Sequence, residues 1–326
     1  MNAVTQLDDS SLESVLTHYD IGNLLGYWPA ANGIENSNFF VHTQHDDRQR
    51  EFVLTIMEQP PYAGEGYIPL MHALAQQGLP VAPPLAAADG YFIQELAGKP
   101  AMLQTRLPGR HVYNPTRKQI CSLARFMARM HNAIQAPGIK LPPYPRSVGW
   151  LREQVSKTQG MLPFADAALL ASTLHKVESL LARHDVQSLP QGMIHGDLFR
   201  DNVLFNSYGL SGVLDFHHAA SGFWIYDLAV MANDWCTDAG GQLDPERTAD
   251  MLRAYHQIRP LREAELWFFS GFALYAALAF WLSRLSAALA AARISAGRFK
   301  NPDEFKRIVE HHNRHSFYLD PRQLSI

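Results

Sequence analysis

The hydrophobic period of this chain changes near residue 109, and that change restricts the architectures open to it. Before it, apolar residues fall in short β-like runs at 24–30, 38–42 and 51–57. The polar segment 44–49 between the second and third predicts a hairpin. Residues 81–84 open a further pair of strands, expected around 91–96 and 101–106. Two helical patterns interrupt the strands: 10–20, with Leu12, Val15, Leu16 and Tyr19 on one side, and 67–77, stopped by Gly78. Beyond Gly109, Ile120, Leu123, Met127, Met130 and Ile134 recur at helical spacing. A proline-rich loop (135–146) follows, then helices are expected over 150–183, 226–256 and 262–293, with short β segments at 193–195, 203–205 and 212–216. A strand-rich half before a helix-rich half is an α+β arrangement with a cleft between the halves. The expected lobes are 1–106 and 107–326, with a hinge near Gln104 to Gly109.

Composition narrows the function. A formal charge of −3 argues against a nucleic-acid partner, which would call for a basic excess. Two distant cysteines, Cys121 and Cys236, argue against a disulfide framework and fit a reducing cytoplasm. Residues 1–11 lack the basic and apolar regions of a signal peptide. The charge-free run 266–282, 17 residues long, is near the lower limit for a membrane span, but the core helix of a large domain reads the same way. The core helix is the preferred reading, and no membrane partner is expected.

The chemistry is concentrated in His195-Gly196-Asp197-Leu198-Phe199-Arg200-Asp201-Asn202. This fits the kinase catalytic-loop pattern: His, any residue, Asp, Leu, three residues, Asn. Asp197 can accept the proton of an attacking hydroxyl and hold it in line with a γ-phosphate. Asn202 supplies a neutral oxygen for magnesium, a hard cation that prefers oxygen ligands. His195, grouped with Asp197, is read as bracing the loop rather than reacting. Asp215 ends the apolar run Gly212-Val213-Leu214, where the pattern places the second magnesium ligand. The plain alternative is a loop whose His195 and Asp197 merely bond neighbouring backbone, with Asp215 a turn residue. Gly33, Asn36, Ser37 and Asn38 lie between two predicted strands, and their backbone and small side chains suit phosphates; alone they are only a β-turn. No Walker A sequence occurs, which excludes a P-loop NTPase.

At these residues HGDLFRDN followed by VLDF resembles the aminoglycoside-phosphotransferase and choline-kinase superfamily, and GIENSNFF, FVLTIME and YDLAVMANDWC are similar to its homoserine-kinase branch. The resemblance runs from about residue 20 to about 315. It implies a bilobal protein-kinase-like fold, ATP and Mg2+ as cofactors, and phosphorylation of L-homoserine to O-phospho-L-homoserine, a step toward threonine. Two other readings stay open: a kinase of another small hydroxyl compound (choline, an aminoglycoside or a sugar-like metabolite), and a non-catalytic nucleotide-binding pseudokinase. The second is motivated by Thr55, which stands where kinase-like folds place a phosphate-pairing lysine. Thr55, together with Gln104 at the hinge, is counted with the nucleotide-binding set. His217 and His218 follow Asp215 where the branch often has an aromatic residue. Oligomeric state is not legible.

Asp227, Met231 and Asp234 fall on one helix face. Asp227 is expected to N-cap its helix and tie down the catalytic loop. Asp234, with Trp235 beside it, is the candidate for the substrate ammonium, and Arg106, Arg200 and Arg284 are candidates for its carboxylate. His311, His312 and His315 lack a metal framework and read as a solvated helix face.

Overall fold

The computed structural model describes residues 5–30, 36–58, 66–133, 139–294 and 300–324. The first strands are β1 (Asn23–Pro29), β2 (Ser37–His45), β3 (Arg48–Ile56), β4 (Gln94–Leu96) and β5 (Lys99–Thr105). They form one antiparallel sheet in the order β1-β2-β3-β5-β4. Period-2 alternation sorts its side chains. Phe39, Val41, Phe52, Leu54, Ile56, Ala101 and Leu103 face a core closed by helix α1 (Asp9–Leu16). Asp8 caps that helix by accepting the Ser11 N–H at 2.8 Å. The alternate residues Asn38, Phe40, Val53, Thr55, Met102 and Gln104 take the other face. There Met102 joins a second, larger core, to which α2 (Tyr67–Gln76) also contributes Tyr67, Ile68, Leu70, Met71 and Leu74. The expected pair around 91–96 and 101–106 forms as β4 and β5, with β4 shorter than expected, and the segment 81–84 that opens it makes a single bridge from Pro84 to Gln104, since Pro83 and Pro84 have no N–H for a ladder.

The helical body contains α3 (Arg117–Ala133), α4 (Val148–Thr158), α5 (Phe164–Leu181), α6 (His184–Gln187), α7 (Trp224–Trp235), α8 (Pro245–His256), α9 (Glu263–Ile294) and α10 (Pro302–Arg314). Two antiparallel pairs cross it: β6 (Gln191–Ile194) with β9 (Ala220–Phe223), and β7 (Val203–Asn206) with β8 (Gly209–Val213). Two expected long helices are each divided. Pro163, which the helix cannot pass with its hydrogen bonds intact, separates α4 from α5. Asp244 starts α8 afresh by accepting the Glu246 and Arg247 N–H groups, with Pro245 in the first turn.

Helix α9 contains the charge-free run. It is long and apolar enough to cross a membrane by length and composition, yet 78% of its apolar window is buried inside the molecule. Its neighbours are α4, α5, α7 and α10. The approach of α5 is close: a Cβ on Gly271 would stand 2.9 Å from Leu180. Phe269, Phe272, Leu278 and Leu282 are buried on this helix, each worth about 1.5–3 kcal/mol relative to exposure. Helix α7, buried along nearly its whole length, lies among α9, α3 and β6. It is the rigid element on which the loop bearing Asp197 rests.

Candidate active site

The loop between β6 and β7 is held from beneath by α7. The Asp227 carboxyl accepts the backbone N–H of His195 at 2.7 Å and of Gly196 at 2.8 Å. His131 reaches the same carboxyl at 3.1 Å. Asp227 therefore ties down the loop, but it is not an N-cap: Phe223 holds that position, and Asp227 lies one turn inside the helix. His195 is fully buried. Its Nδ1 accepts the Asp197 N–H at 3.3 Å and its Nε2 reaches the Leu214 carbonyl at 2.9 Å, so one imidazole joins the two loops that carry Asp197 and Asp215. The intervening Gly196 has φ +75°, and a Cβ there would meet the Tyr144 ring at 2.9 Å.

Asn202 lies against Asp197, donating from Nδ2 to the Asp197 carbonyl at 2.7 Å and to its Oδ2 at 3.0 Å. That orientation leaves the Asn202 amide oxygen as the atom it can offer a cation. Burial raises the Asp197 carboxyl above the ordinary carboxylate value, against the opposing pull of His218 and Arg146, and the charge of Asp215 adds to the rise. A carboxyl moved in this direction is a better proton acceptor when ionised. Burial also pushes Asp215 upward, but His217, followed by His218 and His195, more than offsets it and holds that carboxyl below its ordinary value. Asp215 has φ +67°, a left-handed conformation uncommon for a non-glycine residue and costly to maintain. Among the described residues its buried Oδ1 has the His217 Nδ1 against it and no further hydrogen-bond partner. The donor set of Asp215 and Asn202 oxygens beside Asp197 fits a hard divalent cation. The ligand atoms of Asp215, His217 and His218 all lie within 4.8 Å of one another.

The nucleotide-binding set divides between the two sheet faces. Asn38, Thr55 and Gln104 share the face opposite the small core, and Thr55 Oγ1 donates to Asn38 Oδ1 at 2.8 Å. Gln104 Nε2 donates to the Ala82 carbonyl at 2.6 Å, which fixes its side chain against the segment before β4. Ser37 turns away: its buried hydroxyl donates to Glu58 and accepts the Thr5 N–H at 3.0 Å. Asn36 Oδ1 accepts the Glu58 N–H at 3.4 Å. Gly33 lies outside the described residues. The cation at this end of the sheet, Lys99, is paired with Glu58 and does not replace the missing strand lysine.

Of the three residues expected to meet substrate, Asp234 and Arg200 are occupied with each other and Trp235 with the loop backbone. Asp234 accepts the Arg200 backbone N–H at 2.7 Å, its Nε at 3.1 Å and its Nη2 at 3.1 Å. A buried carboxylate facing a guanidinium and a backbone amide is already satisfied, so neither side chain is left for a substrate ammonium or carboxylate. Trp235 is buried and donates to the Leu198 carbonyl at 3.1 Å. Of the other arginines, Arg106 pairs with Glu51 and Arg284 with Glu304. The histidine group is also corrected: His312 is buried and donates to Asn233 Oδ1 at 2.8 Å, so that helix face is not solvated throughout. One group beside the loop was missed. Arg146, at the end of the proline-rich loop, lies near Asp197 and donates to Tyr144 at 2.8 Å.

Residues 27–261 match the phosphotransferase enzyme family. Over 289 residues the chain is 40% identical to a homoserine kinase of Pseudomonas aeruginosa (strain UCBPP-PA14), covering 88% of this chain and 89% of that one. A homoserine kinase of Cupriavidus necator is 39% identical over 295 residues, 87% of this chain and 88% of its own. Among solved structures, an amicoumacin kinase in complex with AMP-PNP, Ca2+ and Ami superposes with a TM-score of 0.68 at 17% identity, covering 98% of this chain and 97% of that one.

Proposed function

This chain belongs to the phosphotransferase enzyme family, and from that premise we propose that it is a homoserine kinase, converting ATP and L-homoserine to ADP and O-phospho-L-homoserine, a step toward threonine. The reaction class rests on one observation: Asp197, Asn202 and Asp215 lie together in a partly buried site, with Asn202 bonded to Asp197, the Asp215 charge acting on it, and one Asp215 oxygen met by His217 alone among the described residues. The substrate rests on the homoserine kinases that match nearly nine-tenths of the chain. Residues 1–106 form the nucleotide lobe and residues 107–326 the substrate lobe.

Asp197 accepts the proton of the homoserine hydroxyl and directs its oxygen at the γ-phosphate. Asn202 holds Asp197 in place through its amide N–H and turns its oxygen toward the cation. Asp215 and Asn202 would hold Mg2+, which would supply charge neutralisation at the phosphates. His195 and Asp227 do no chemistry and maintain the loop. Asn38, Thr55 and Gln104 line the sheet face over the nucleotide, without the usual lysine. The amicoumacin kinase of the same fold is seen with AMP-PNP and Ca2+, which supports use of a nucleotide and a divalent cation. The free thiols Cys121 and Cys236 fit a reducing cytoplasm.

The test is ADP release by purified protein with L-homoserine, choline, an aminoglycoside and serine. Homoserine is expected to be turned over in preference to the others. Preference for another member would replace the substrate, and nucleotide binding without transfer to any of them would favour the pseudokinase.

A further inference from the structure

The guanidinium of Arg146 is a cation in need of an anion. Among the described residues it makes no ion pair, and its one hydrogen bond goes to the neutral hydroxyl of Tyr144. It lies over the Phe280 ring at 4.4 Å from the centroid. An arginine has five N–H donors, so most of this fork is left to a ligand. A half-buried cation without a counter-ion is costly unless a bound anion completes it.

The surroundings hold Arg146 in place. Tyr275 donates to its backbone carbonyl at 2.6 Å. Tyr144, which receives its hydrogen bond, shares a 2.8 Å contact with the Tyr226 hydroxyl. The segment before Arg146 is hydrogen-bonded to β9: Ser221 donates to the Pro142 carbonyl at 2.8 Å and Tyr144 to the Ser221 carbonyl at 2.9 Å. The ring of Tyr144 touches Gly196, next to Asp197. Phe280, beneath the guanidinium, packs edge-on against Phe199 of the same loop at 4.6 Å. Arg146 is thus built onto the helical body, away from the sheet face bearing Thr55 and Gln104. None of its described partners belongs to that sheet face, so a molecule lodged between the helical body and Asp197 would meet this guanidinium.

We propose that Arg146 binds the α-carboxylate of the amino-acid substrate and so sets the preference for an acidic acceptor; this rests on the homoserine-kinase reading. The hydroxyl oxygen and carboxylate carbon of homoserine are four bonds apart, roughly 5 Å when extended at ~1.5 Å per bond. One molecule of that length must then engage both Asp197 and Arg146, a cation close enough to act on the Asp197 carboxyl electrostatically. A planar fork matches a carboxylate with two parallel hydrogen bonds.

The experiment compares L-homoserine with L-homoserine amide in wild type, Arg146→Gln and Arg146→Lys. Thermal melts identify any variant that fails to fold. Charge-assisted bonds of this kind correspond to roughly 10- to 100-fold. Arg146→Gln is expected to raise KM for L-homoserine by that factor, leave KM for ATP within about twofold, and erase the acid-over-amide preference. Arg146→Lys should recover part of that preference. A folded Arg146→Gln or Arg146→Lys protein that keeps the full wild-type preference overturns the inference. So does a rise in KM for ATP with the preference intact, which would place the guanidinium on phosphate. A wild type that ignores L-homoserine overturns the substrate reading and this inference together; activity on L-homoserine with unaltered preference in the variants overturns only the inference.

Discussion

Two pairs of aspartates stand around one loop, Asp227 buried and the other three partly buried, and they are treated in opposite ways. On helix α7, Asp227 accepts two backbone N–H groups and an imidazole contact, and Asp234 accepts three bonds from Arg200. On the cleft side, Asp197 receives the Asn202 amide N–H on its carboxyl, and Asp215, on a left-handed backbone, has an Oδ1 met by His217 and by no other hydrogen-bond partner among the described residues. Burying a carboxyl is costly in every case. Where the protein supplies the donors, the group holds backbone in place. Where it does not, capacity remains for a cation or a proton. The difference teaches that the same residue type divides into scaffold and chemistry by exposure and by the state of its lone pairs: Asp227 is fully buried and Asp234 12% exposed, whereas Asp215 is 28% exposed.

Substitution on the cleft side gives the largest expected effect, and it should fall on rate. Asp197→Asn keeps the shape but removes most proton-accepting capacity, so turnover is expected to fall by about 10²–10⁴. ATP affinity and melting temperature should stay near wild type, because relieving a buried carboxyl does not weaken the fold. Homoserine-dependent ADP release at the wild-type rate would remove Asp197 from the mechanism. Asp215→Asn and Asn202→Ala should shift the magnesium titration curve along with turnover; an unchanged curve in both variants would refute their assignment.

On the α7 side the order reverses. Asp227→Ala leaves the His195 and Gly196 N–H groups buried without partners, at about 1–3 kcal/mol each. Chemical denaturation should register the loss, and activity should follow it through the displaced loop. Asp234→Asn is milder, since it weakens a buried pair while retaining an acceptor. If KM for homoserine stays near wild type in Asp234→Asn, the residue is scaffold. A selective rise in KM without loss of stability would restore it as a substrate contact and break the comparison.

The parts legible in the sequence are those whose signal is local. Residues 195–202 are contiguous, so the loop motif can be read directly, and alternation along β2, β3 and β5 correctly separates two faces. Pairings made by the tertiary fold are not local. Arg200 and Asp234 each look free, and only the approach of α7 to the loop shows that they satisfy each other. Arg146 gives no sequence signal, because its importance comes from Phe280 and Gly196, far along the chain. His312 is legible in the sequence: Phe305, Ile308, Val309 and His312 follow helical spacing on one buried face, a pattern distinct from that of the adjacent His311 and His315.

The smallest effect probes both ends of α7 through pH. His131, beside Asp227, and His312, beside Asn233, are buried, and burial lowers both imidazoles below their ordinary value, His312 to about 3. Asn233 Nδ2 donates to the Ala273 carbonyl, so its oxygen faces His312 Nε2, which carries the proton; Nδ1 is buried without a partner. Protonation would place a charge there with nothing to receive it. Because the folded values are depressed, the unfolded chain binds protons first as pH falls. Stability is therefore full above about pH 6.5, the ordinary imidazole value, and declines below it, with His312 contributing down to about pH 3. Each such histidine adds a slope of up to about 1.4 kcal/mol per pH unit. Denaturant melts from pH 7.5 to 5 should show this decline. His312→Gln keeps a donor for Asn233 and cannot titrate, so its profile should be flatter by up to one proton's slope. Parallel profiles for wild type and His312→Gln would show that this imidazole does not hold α7 in the neutral form assigned to it.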